Sequence, residues 1–281
     1  MTNLSLRCDA RICNEIIPAD RMHRLCITSP PYWMLRDYME PGQIGMEPEP
    51  EWFIQNLAAA FAAVWYRVTD DGSLVIIIGD SYFGGGSSTA YGNDHANFTA
   101  KSTMAGTHPG GSVRPVKPQK HKRFRVGEQI GIPWMLADAL RDVGWMVRQV
   151  SIWHKPNPMP GPFRKRLTSS HEYILHLTKS MDYYCERSAL DNGQRIMRDF
   201  IECEELPTSV TASVSRGGHS KSAGYPEALV KPFIEALSAP GDLVLDPFHG
   251  SGTTGRACES LGRFWTGCDI SASPTPPQIV S

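Results

Sequence analysis

A glycine-rich turn near the end of the sequence has the spacing of a nucleotide-binding loop. Gly250, Gly252 and Gly255 follow a short apolar run, precede a helical pattern and fit the motif G-x-G-x-x-G. Glycines in such a turn let the backbone approach a ligand, and the N-terminus of the next helix directs unpaired N–H groups at it. Asp269 ends the following apolar run, where a carboxylate can accept hydrogen bonds from ribose hydroxyls. The spacing predicts a nucleotide site.

A second segment, Ser29-Pro30-Pro31-Tyr32, ends another apolar run. Its two prolines donate no backbone hydrogen bonds and fix an extended turn. The Ser29 hydroxyl and the Pro30 carbonyl could both accept hydrogen bonds from one exocyclic NH₂ group, and Tyr32 offers a ring face for stacking. Two acceptors on an aromatic amine favour the tetrahedral geometry in which its lone pair can attack an electrophilic methyl group. The segment therefore suits methylation of an amine.

Apolar runs and helical patterns alternate along the chain, which is typical of an α/β sheet. The predicted strands are 24–28, 73–78, 146–153, 173–178, 243–246 and 264–268. The predicted helices are 51–68, 133–143, 226–237 and 253–261. Because only residues 270–281 follow Asp269, the rest of the sheet must come from upstream of the glycine turn. That order is unusual for an NAD-dependent oxidoreductase.

The composition of the 281 residues, with 41% hydrophobic and 20% charged side chains, is that of an ordinary soluble protein. The length suits one large α/β domain with an insertion or about two domains. No apolar run approaches the ~18 residues of a membrane-spanning helix, and the first residues lack a secretion signal. We therefore expect a cytoplasmic protein without a membrane partner.

The seven cysteines are widely spread and never spaced as Cys-x-x-Cys. Their odd number argues against a disulfide framework, and their spacing argues against a structural zinc site. We expect reduced thiols and no bound metal.

Basic residues are concentrated in one stretch although the net charge is only −1. Residues 101–127 contain seven lysines and arginines and no acidic residue, within a Gly/Ser/Thr-rich segment that spans 84–127. Such a segment forms little core, and its charge suits contact with phosphate. On charge alone, a solvated loop is equally consistent.

Residues 27–32 and 246–254 together resemble the amino-group DNA methyltransferases of the β arrangement, the N4-cytosine and N6-adenine class. In that arrangement the catalytic motif precedes the S-adenosylmethionine motif. The resemblance extends to segments 33–45, 79–82, 131–134, 152–160, 170–173 and 225–227.

The resemblance implies the Rossmann-like methyltransferase fold. Its expected features are a mixed, mostly parallel seven-stranded sheet, helices on both faces and a circularly permuted motif order. Residues 1–281 would form one catalytic domain, with 84–127 as a basic, mobile insertion that contacts DNA and 181–224 as the candidate target-recognition region. The cofactor strand and the catalytic strand are expected side by side at a topological switch point.

The resemblance also implies the roles of individual residues. The flipped base would be held by Ser29, Pro30, Pro31 and Tyr32. S-adenosyl-L-methionine would be bound by Asp9, on its adenine amino group, by Asp269, on its ribose, and by Asp246, Pro247, Phe248, Gly250, Ser251, Gly252 and Thr253. Arg114, Lys117, Lys120, Lys122, Arg123 and Arg125 would contact the DNA backbone.

The predicted function is site-specific methylation of double-stranded DNA. Serine at the first position of the catalytic motif favours cytosine N4 by family association, whereas the chemistry alone does not separate cytosine from adenine N6. A DNA-binding relative with weak or no turnover is an alternative, and an NAD-dependent oxidoreductase is a more distant one. A cognate restriction endonuclease is a candidate partner, and the chain is expected to be a monomer or a homodimer.

Three further sets of residues each allow two interpretations. Asp80 could contact the cofactor or cap the next turn. His171-Glu172 could form an acid/base pair, but a structural hydrogen bond that anchors the strand is favoured. Trp153, His154 and Asn157 could line the base pocket, while a core position for Trp153 is equally common.

Overall fold

The computed structural model of the protein describes residues 1–84, 118, 120–156, 158, 166–190, 199–202 and 225–271. The strands are β1 (Leu4–Arg7), β2 (His23–Thr28), β3 (Val68–Ile78), β4 (Met146–His154), β5 (His171–Thr178), β6 (Phe200–Glu202), β7 (Leu243–Asp246) and β8 (Phe264–Asp269). The helices are α1 (Cys13–Ile16), α2 (Pro50–Trp65), α3 (Ile132–Val143), α4 (Glu227–Leu237) and α5 (Thr253–Ser260), with short 3₁₀ helices at Ala10–Ile12 and Arg187–Leu190.

All the strands belong to one sheet with the order β1-β8-β7-β2-β3-β5-β4-β6. The first five of these are parallel to one another, so their carboxyl ends meet at one edge of the sheet. Strand β5 is antiparallel to β3 and β4, and β6 is parallel to β4. The predicted α/β fold with a mixed, mostly parallel sheet is confirmed. In the described ranges the sheet has eight strands rather than the predicted seven, because the short strand β6 extends it beyond β4.

Strand β2 leads into residues 29–32, the predicted catalytic motif, and pairs directly with β7, which leads into the glycine loop. The expectation that these two strands are neighbours is confirmed. Their loops leave the sheet at the same edge, so the two motifs emerge side by side.

Apolar cores cover both faces of the sheet. Leu74 and Ile76 of β3 face the core that contains α2 and α3, whereas Val75 and Ile77 face the core that contains α4 and α5. Because successive side chains alternate between faces, a strand buried on both sides must be apolar at every position. This requirement explains the unbroken apolar run 74–78.

The largest differences from the predicted elements lie at short or polar segments. Helix α2 ends at Trp65, although its pattern predicts a helix to residue 68, because Val68 already begins β3 and pairs with His23. Strand β1 is not predicted, because four residues with mostly partial burial give too weak a periodic signal.

Parts of two predicted segments lie outside the described residues. They are residues 85–117 and 119 of the insertion 84–127, and residues 191–198 and 203–224 of the region 181–224. The described remainder of the second region contributes a 3₁₀ helix and the edge strand β6. Across the described ranges, every helix is too short or too polar to cross a membrane.

Candidate functional site

Asp246, the last residue of β7, is the centre of a buried hydrogen-bond network. Its Oδ1 accepts from the Thr28 hydroxyl at 2.6 Å and from the Phe248 N–H at 3.1 Å. Its Oδ2 accepts from the Thr254 hydroxyl at 2.6 Å and from the Tyr225 hydroxyl at 3.3 Å. These donors offset the cost of burying a carboxylate. The network ties the end of β2, the glycine loop and α5 to one side chain.

The glycine loop turns sharply between β7 and α5. Gly250 and Gly252 have φ values of 47° and 81°, a left-handed conformation that glycine adopts without steric cost. The Gly250 N–H donates to Oδ2 of Asp269 at 2.9 Å, and the His249 N–H donates to the Cys268 carbonyl at 2.8 Å. The loop is therefore held against the end of β8, with Asp269 directly beside Gly250.

The His249 side chain lies inside this turn. Its ring stacks on Trp265 with the centroids 4.7 Å apart, and the side chain is only 8% exposed. A Cβ at Gly267 would stand 2.4 Å from the ring, and a Cβ at Gly255 would stand 3.1 Å from it. Gly255, the third glycine of the motif, thus makes room for His249 and Trp265 rather than for a ligand.

Arg256 on α5 holds the outer side of the loop. It donates to the Ser251 carbonyl at 2.8 Å and to the Thr253 hydroxyl at 3.1 Å. Its Nε donates to Glu227 on α4 at 3.0 Å. Ser251 and Thr253 are thereby fixed relative to both helices.

Asp9 and Asp269 lie at the carboxyl ends of the neighbouring strands β1 and β8, where the Cys8 N–H donates to the Asp269 carbonyl at 2.9 Å. The Asp9 carboxylate accepts from the Arg11 N–H at 2.9 Å and from the guanidinium at 2.6 Å. Burial alone would raise the pKa of Asp9, but the hydrogen bonds and charge of Arg11 outweigh burial and lower it. Asp9 is therefore an anionic acceptor.

The catalytic motif begins directly after β2, with Ser29 half-buried and Pro30 buried. The Tyr32 hydroxyl donates to Oε2 of Glu172 on β5. A Cβ at Gly79 would stand 3.0 Å from Cε2 of Tyr32, so the glycine lets the ring approach β3 closely. Burial and the Glu172 charge raise the pKa of Tyr32 well above its usual range, which keeps the phenol protonated.

Glu172 connects the catalytic motif to β4. Its Oε1 accepts from Nζ of Lys155, and this ammonium group lies 4.7 Å from the centre of the Trp153 ring. Trp153 and Glu172 are register partners, so they project from the same face of the sheet. Glu172 is thus the structural anchor favoured above, and it is bonded to the catalytic motif. Trp153 is 3% exposed and occupies the core position.

Asp80 caps helix α3. Its Oδ1 accepts from the N–H groups of Gly131 at 3.0 Å and Ile132 at 2.9 Å, and also from the N–H of Ser81 at 2.7 Å. Asp80 therefore caps a helix that begins about 50 positions downstream in addition to bonding the N–H of the next residue, and its contact with the cofactor stays a prediction. Two other residues were considered for the base pocket with Trp153. His154 pairs with Glu202 at the sheet edge, and Asn157 lies outside the described residues.

Four of the six basic residues predicted to contact DNA are described, and all four are exposed: Lys120, Lys122, Arg123 and Arg125. Arg114 and Lys117 lie outside the described residues. Nδ1 of His121 accepts from two backbone N–H groups of this segment at 3.0 and 3.2 Å. Phe124 is 6% exposed and stacks on Phe83 with the centroids 6.1 Å apart. The buried rings of His121 and Phe124 therefore hold residues 120–125 with the charges directed outward.

Glu49, Glu51 and His121 bring potential metal-ligand atoms within 4.8 Å of one another. Because Nδ1 of His121 accepts hydrogen bonds, the neutral ring carries its proton on Nε2, which lies 3.2 Å from Oε2 of Glu51. A metal ion would need a bare nitrogen at that position. The group suits a contact between α2 and the basic segment better than it suits a metal.

The structure brings the predicted cofactor residues to the carboxyl ends of β1, β8 and β7, next to the catalytic motif at the end of β2. It adds residues that sequence reasoning did not assign to the site: Thr28, Tyr225, Thr254, Glu172 and Lys155. Thr28 and Thr254 lie within the segments 27–32 and 246–254 that carry the resemblance, so the sequence offered a signal for them. The contact between Tyr32 and Glu172 joins residues 140 positions apart and has no local signal.

The model of the N6/N4 DNA methylase family matches residues 23–274 of the chain. The Type II methyltransferase M.Cfr9I of Citrobacter freundii is 37% identical over 252 residues, which cover 88% of this chain and 77% of the relative. The Type II methyltransferase M.SmaI of Serratia marcescens is 37% identical over 244 residues, which cover 87% of this chain and 78% of the relative.

Two solved structures share the fold. The PvuII DNA methyltransferase, described as cytosine-N4-specific, matches with a TM-score of 0.70 and 19% identity, covering 96% of this chain and 83% of that one. A protein of Thermus thermophilus, described as a putative DNA modification methylase and solved with S-adenosyl-L-methionine, matches with a TM-score of 0.61 and 23% identity. The match covers 96% of this chain and 88% of that one. At these identities the matches establish the fold.

Proposed function

The chain belongs to the N6/N4 DNA methylase family, and we propose that it transfers a methyl group from S-adenosyl-L-methionine to N4 of a cytosine flipped out of double-stranded DNA. One observation carries the proposal. The amine-binding motif at the end of β2 and the glycine loop at the end of β7 are neighbours, cross-linked by the hydrogen bond from Thr28 to Asp246. This geometry would deliver an amine and a methyl donor to one point.

The residues at the carboxyl edge of the sheet fit S-adenosyl-L-methionine. The anionic Asp9 suits the adenine amino group, and the Asp269 carboxylate retains lone pairs for ribose hydroxyls beside Gly250. The turn formed by Asp246, Pro247, Phe248, Gly250, Ser251, Gly252 and Thr253 would surround the methionine part. Within it Asp246 would act through the loop, because its two oxygens already accept from four donors.

When bound, the cofactor supplies a methyl group on a positively charged sulfur. Ser29 Oγ and the Pro30 carbonyl would accept the two hydrogens of the target amine, which turns its lone pair toward the methyl group. Pro31 keeps this turn extended, and the Tyr32 ring offers a stacking face for the flipped base. These groups act on the amine itself, so they would contribute mainly to the rate of transfer.

Cytosine is proposed as the target base because the first residue of the catalytic motif is Ser29, which is associated with cytosine N4 in the resemblance described above. Double-stranded DNA is the proposed partner, with Lys120, Lys122, Arg123 and Arg125 on its phosphates. We also propose a cognate restriction endonuclease as a partner, a monomeric or homodimeric state, and a cytoplasmic location.

The test is transfer of a labelled methyl group to DNA, followed by digestion and identification of the modified nucleoside. N4-methylcytosine is the expected product. N6-methyladenine would overturn the base assignment, and no transfer with intact cofactor binding would favour a non-catalytic DNA-binding protein. Ser29→Ala should lower kcat on the order of tenfold to a hundredfold with unchanged cofactor affinity, because Ser29 would contact only the amine. Equal losses of rate and cofactor affinity would contradict the role of Ser29.

A further inference from the structure

Three aromatic rings lie in contact with one another at the carboxyl edge of the sheet. Trp134, in the first turn of α3, meets the ring of Tyr173 edge to face, with the centroids 5.6 Å apart. The ring of His171 also meets Tyr173 edge to face, with the centroids 5.1 Å apart. These three residues form what we call the aromatic platform. Trp134 is 53% exposed and His171 is also exposed, so the platform is open to solvent.

The register of the sheet places the platform beside the proposed catalytic motif. Tyr173 lies near the start of the antiparallel strand β5 and pairs with Ile78, the last residue of β3. The residue between the two β5 rings is Glu172, whose carboxylate accepts from the Tyr32 hydroxyl. Because successive side chains of a strand alternate between faces, Glu172 and the platform lie on opposite faces of β5 at the same edge.

Residues 120–125, with their four exposed cations, precede the platform in the chain and lie on the same side of the sheet. Phe124 of this segment and Leu136 of α3 are buried in one apolar core. Between them, the Ile130 N–H donates to the Ser81 carbonyl at 3.0 Å and holds the connection against the end of β3. Positive charge on the path to an aromatic surface suits a polyanion.

The phenol group of the platform is uncharged near neutral pH. Burial is the main cause that raises the pKa of Tyr173, and the charge of Asp80 adds to it. Asp80 itself accepts hydrogen bonds from two N–H groups at the start of α3 and from the side-chain amide of Gln129 at 2.8 Å. These donors offset part of the Asp80 charge, which reduces the repulsion that a polyanion would meet here.

We propose that the aromatic platform stacks an unpaired base of DNA. Flipping a base out of a duplex breaks the stack and leaves base faces uncovered. Aromatic rings beside positive charge suit such bases, because every base has a π face and the cations hold the phosphates. The inference rests on the proposed function, since base flipping would present an unpaired base at this edge of the sheet.

Trp134→Ala removes the largest ring of the platform. The probes are a labelled single-stranded oligonucleotide and the fully paired duplex of the same arbitrary sequence, and fluorescence anisotropy measures the affinity for each. We expect the affinity for the single strand to fall ~10-fold, because one base loses its stacking partner. The affinity for the duplex should stay unchanged, since its bases stack on one another. Trp134→Phe keeps a ring and should retain most of the affinity for the single strand.

Tyr66→Ala is the matched control. Tyr66 is 67% exposed and lies between α2 and β3, at the edge of the sheet opposite to the platform. This variant should leave the affinity for both probes unchanged. Lys122→Gln should instead weaken the binding of both probes, because both carry phosphates.

Photocrosslinking measures the contact directly. A single strand that contains iodouracil is irradiated with the wild-type protein, and mass spectrometry locates the modified residue. A crosslink to a ring of the platform is expected, and crosslinks confined to other parts of the chain would overturn the inference.

The binding data can also contradict the platform. Equal affinity of the wild type and Trp134→Ala for the single strand, or no detectable binding of that strand by the wild type, would overturn the inference. An equal loss for the duplex would do the same, because Trp134 would then not act on an unpaired base. A changed oligomeric state of Trp134→Ala with unchanged DNA affinity would mark the platform as an interface between copies of this chain. If the wild type binds the single strand through the platform but transfers no methyl group, the proposed function fails and the base-stacking surface stands.

Discussion

The hydroxyl of Thr28 donates a 2.6 Å hydrogen bond to Oδ1 of Asp246 across the boundary between β2 and β7. Thr28 directly precedes Ser29, the proposed catalytic serine, and Asp246 directly precedes the glycine loop. Both residues are buried, with 0% and 3% exposure. The two motifs therefore have a fixed separation that does not depend on a ligand.

Thr28→Val keeps the shape of the side chain and removes this donor. We expect the free energy of unfolding to fall by about 1–3 kcal/mol, because Asp246 loses a donor to a buried oxygen. Urea unfolding measures this loss, and calorimetry should show weaker cofactor binding. Thr69→Val is the matched control, since the Thr69 hydroxyl is buried without a hydrogen-bond partner among the described residues. Equal stability of the two variants would contradict the role of Thr28.

Gly267→Ala should destabilise the protein by placing a Cβ 2.4 Å from the buried ring of His249. Overpacking of this kind costs about 1–3 kcal/mol. The second substitution His249→Ala removes the ring. Adding Gly267→Ala to the His249→Ala variant should therefore cost much less stability than adding Gly267→Ala to the wild type. Thermal unfolding of the four proteins completes the cycle. Additive losses would show that the ring of His249 does not lie over Gly267.

The sequence predicts the neighbouring positions of the two motifs because both lie at the carboxyl ends of parallel strands. It does not predict the location of His249, because the space at Gly267 becomes visible only when β7 and β8 are paired. The hydrogen bond between Tyr32 and Glu172 is hidden for the same reason, since the register of β5 against β3 and β4 determines what faces Tyr32. The local sequence gives no signal for contacts that form only through the register of paired strands.

Asp269→Ala should weaken the binding of S-adenosyl-L-methionine with little effect on DNA affinity. The variant removes the proposed ribose acceptor and also the partner of the Gly250 N–H at 2.9 Å. The dissociation constant should rise on the order of tenfold or more, which corresponds to one lost hydrogen bond to a charged group. Calorimetric titration measures it, and an unchanged constant would refute the assignment. Asp138→Asn, at an exposed carboxylate of α3, serves as the control.

Stability should depend on pH through His23, the first residue of β2. Burial is the main cause that lowers the pKa of His23 from 6.5 to about 4. Because the unfolded chain then binds the proton more tightly, the contribution to stability is complete above pH 6.5 and is lost as pH falls toward 4. Urea unfolding across this range should show a smaller decline for His23→Gln than for wild type.

The residual decline in His23→Gln is expected to come partly from His176, whose pKa is also lowered to about 4 by burial. His154→Gln is the control, because its side chain is 30% exposed. A pH dependence in His23→Gln as steep as that of the wild type would contradict the prediction.

Four exposed cations, Lys120, Lys122, Arg123 and Arg125, form the described part of the proposed DNA contact. Replacing all four with glutamine should leave the fold intact, because the rings of His121 and Phe124 hold this segment. Contacts with phosphate position DNA without reading its sequence. The variant should therefore bind cognate and unrelated duplexes more weakly by similar factors.

The salt dependence separates phosphate contact from a merely solvated surface. Each lost phosphate contact should flatten the slope of log affinity against log salt by up to about one unit, because fewer counterions are released on binding. Arg141→Gln removes one exposed charge from α3 and is the control for a single substitution such as Lys122→Gln. The preference for the cognate site should survive the quadruple substitution. An unchanged slope would mean that these side chains stay in solvent, and a lost preference with retained general affinity would mean that they read bases.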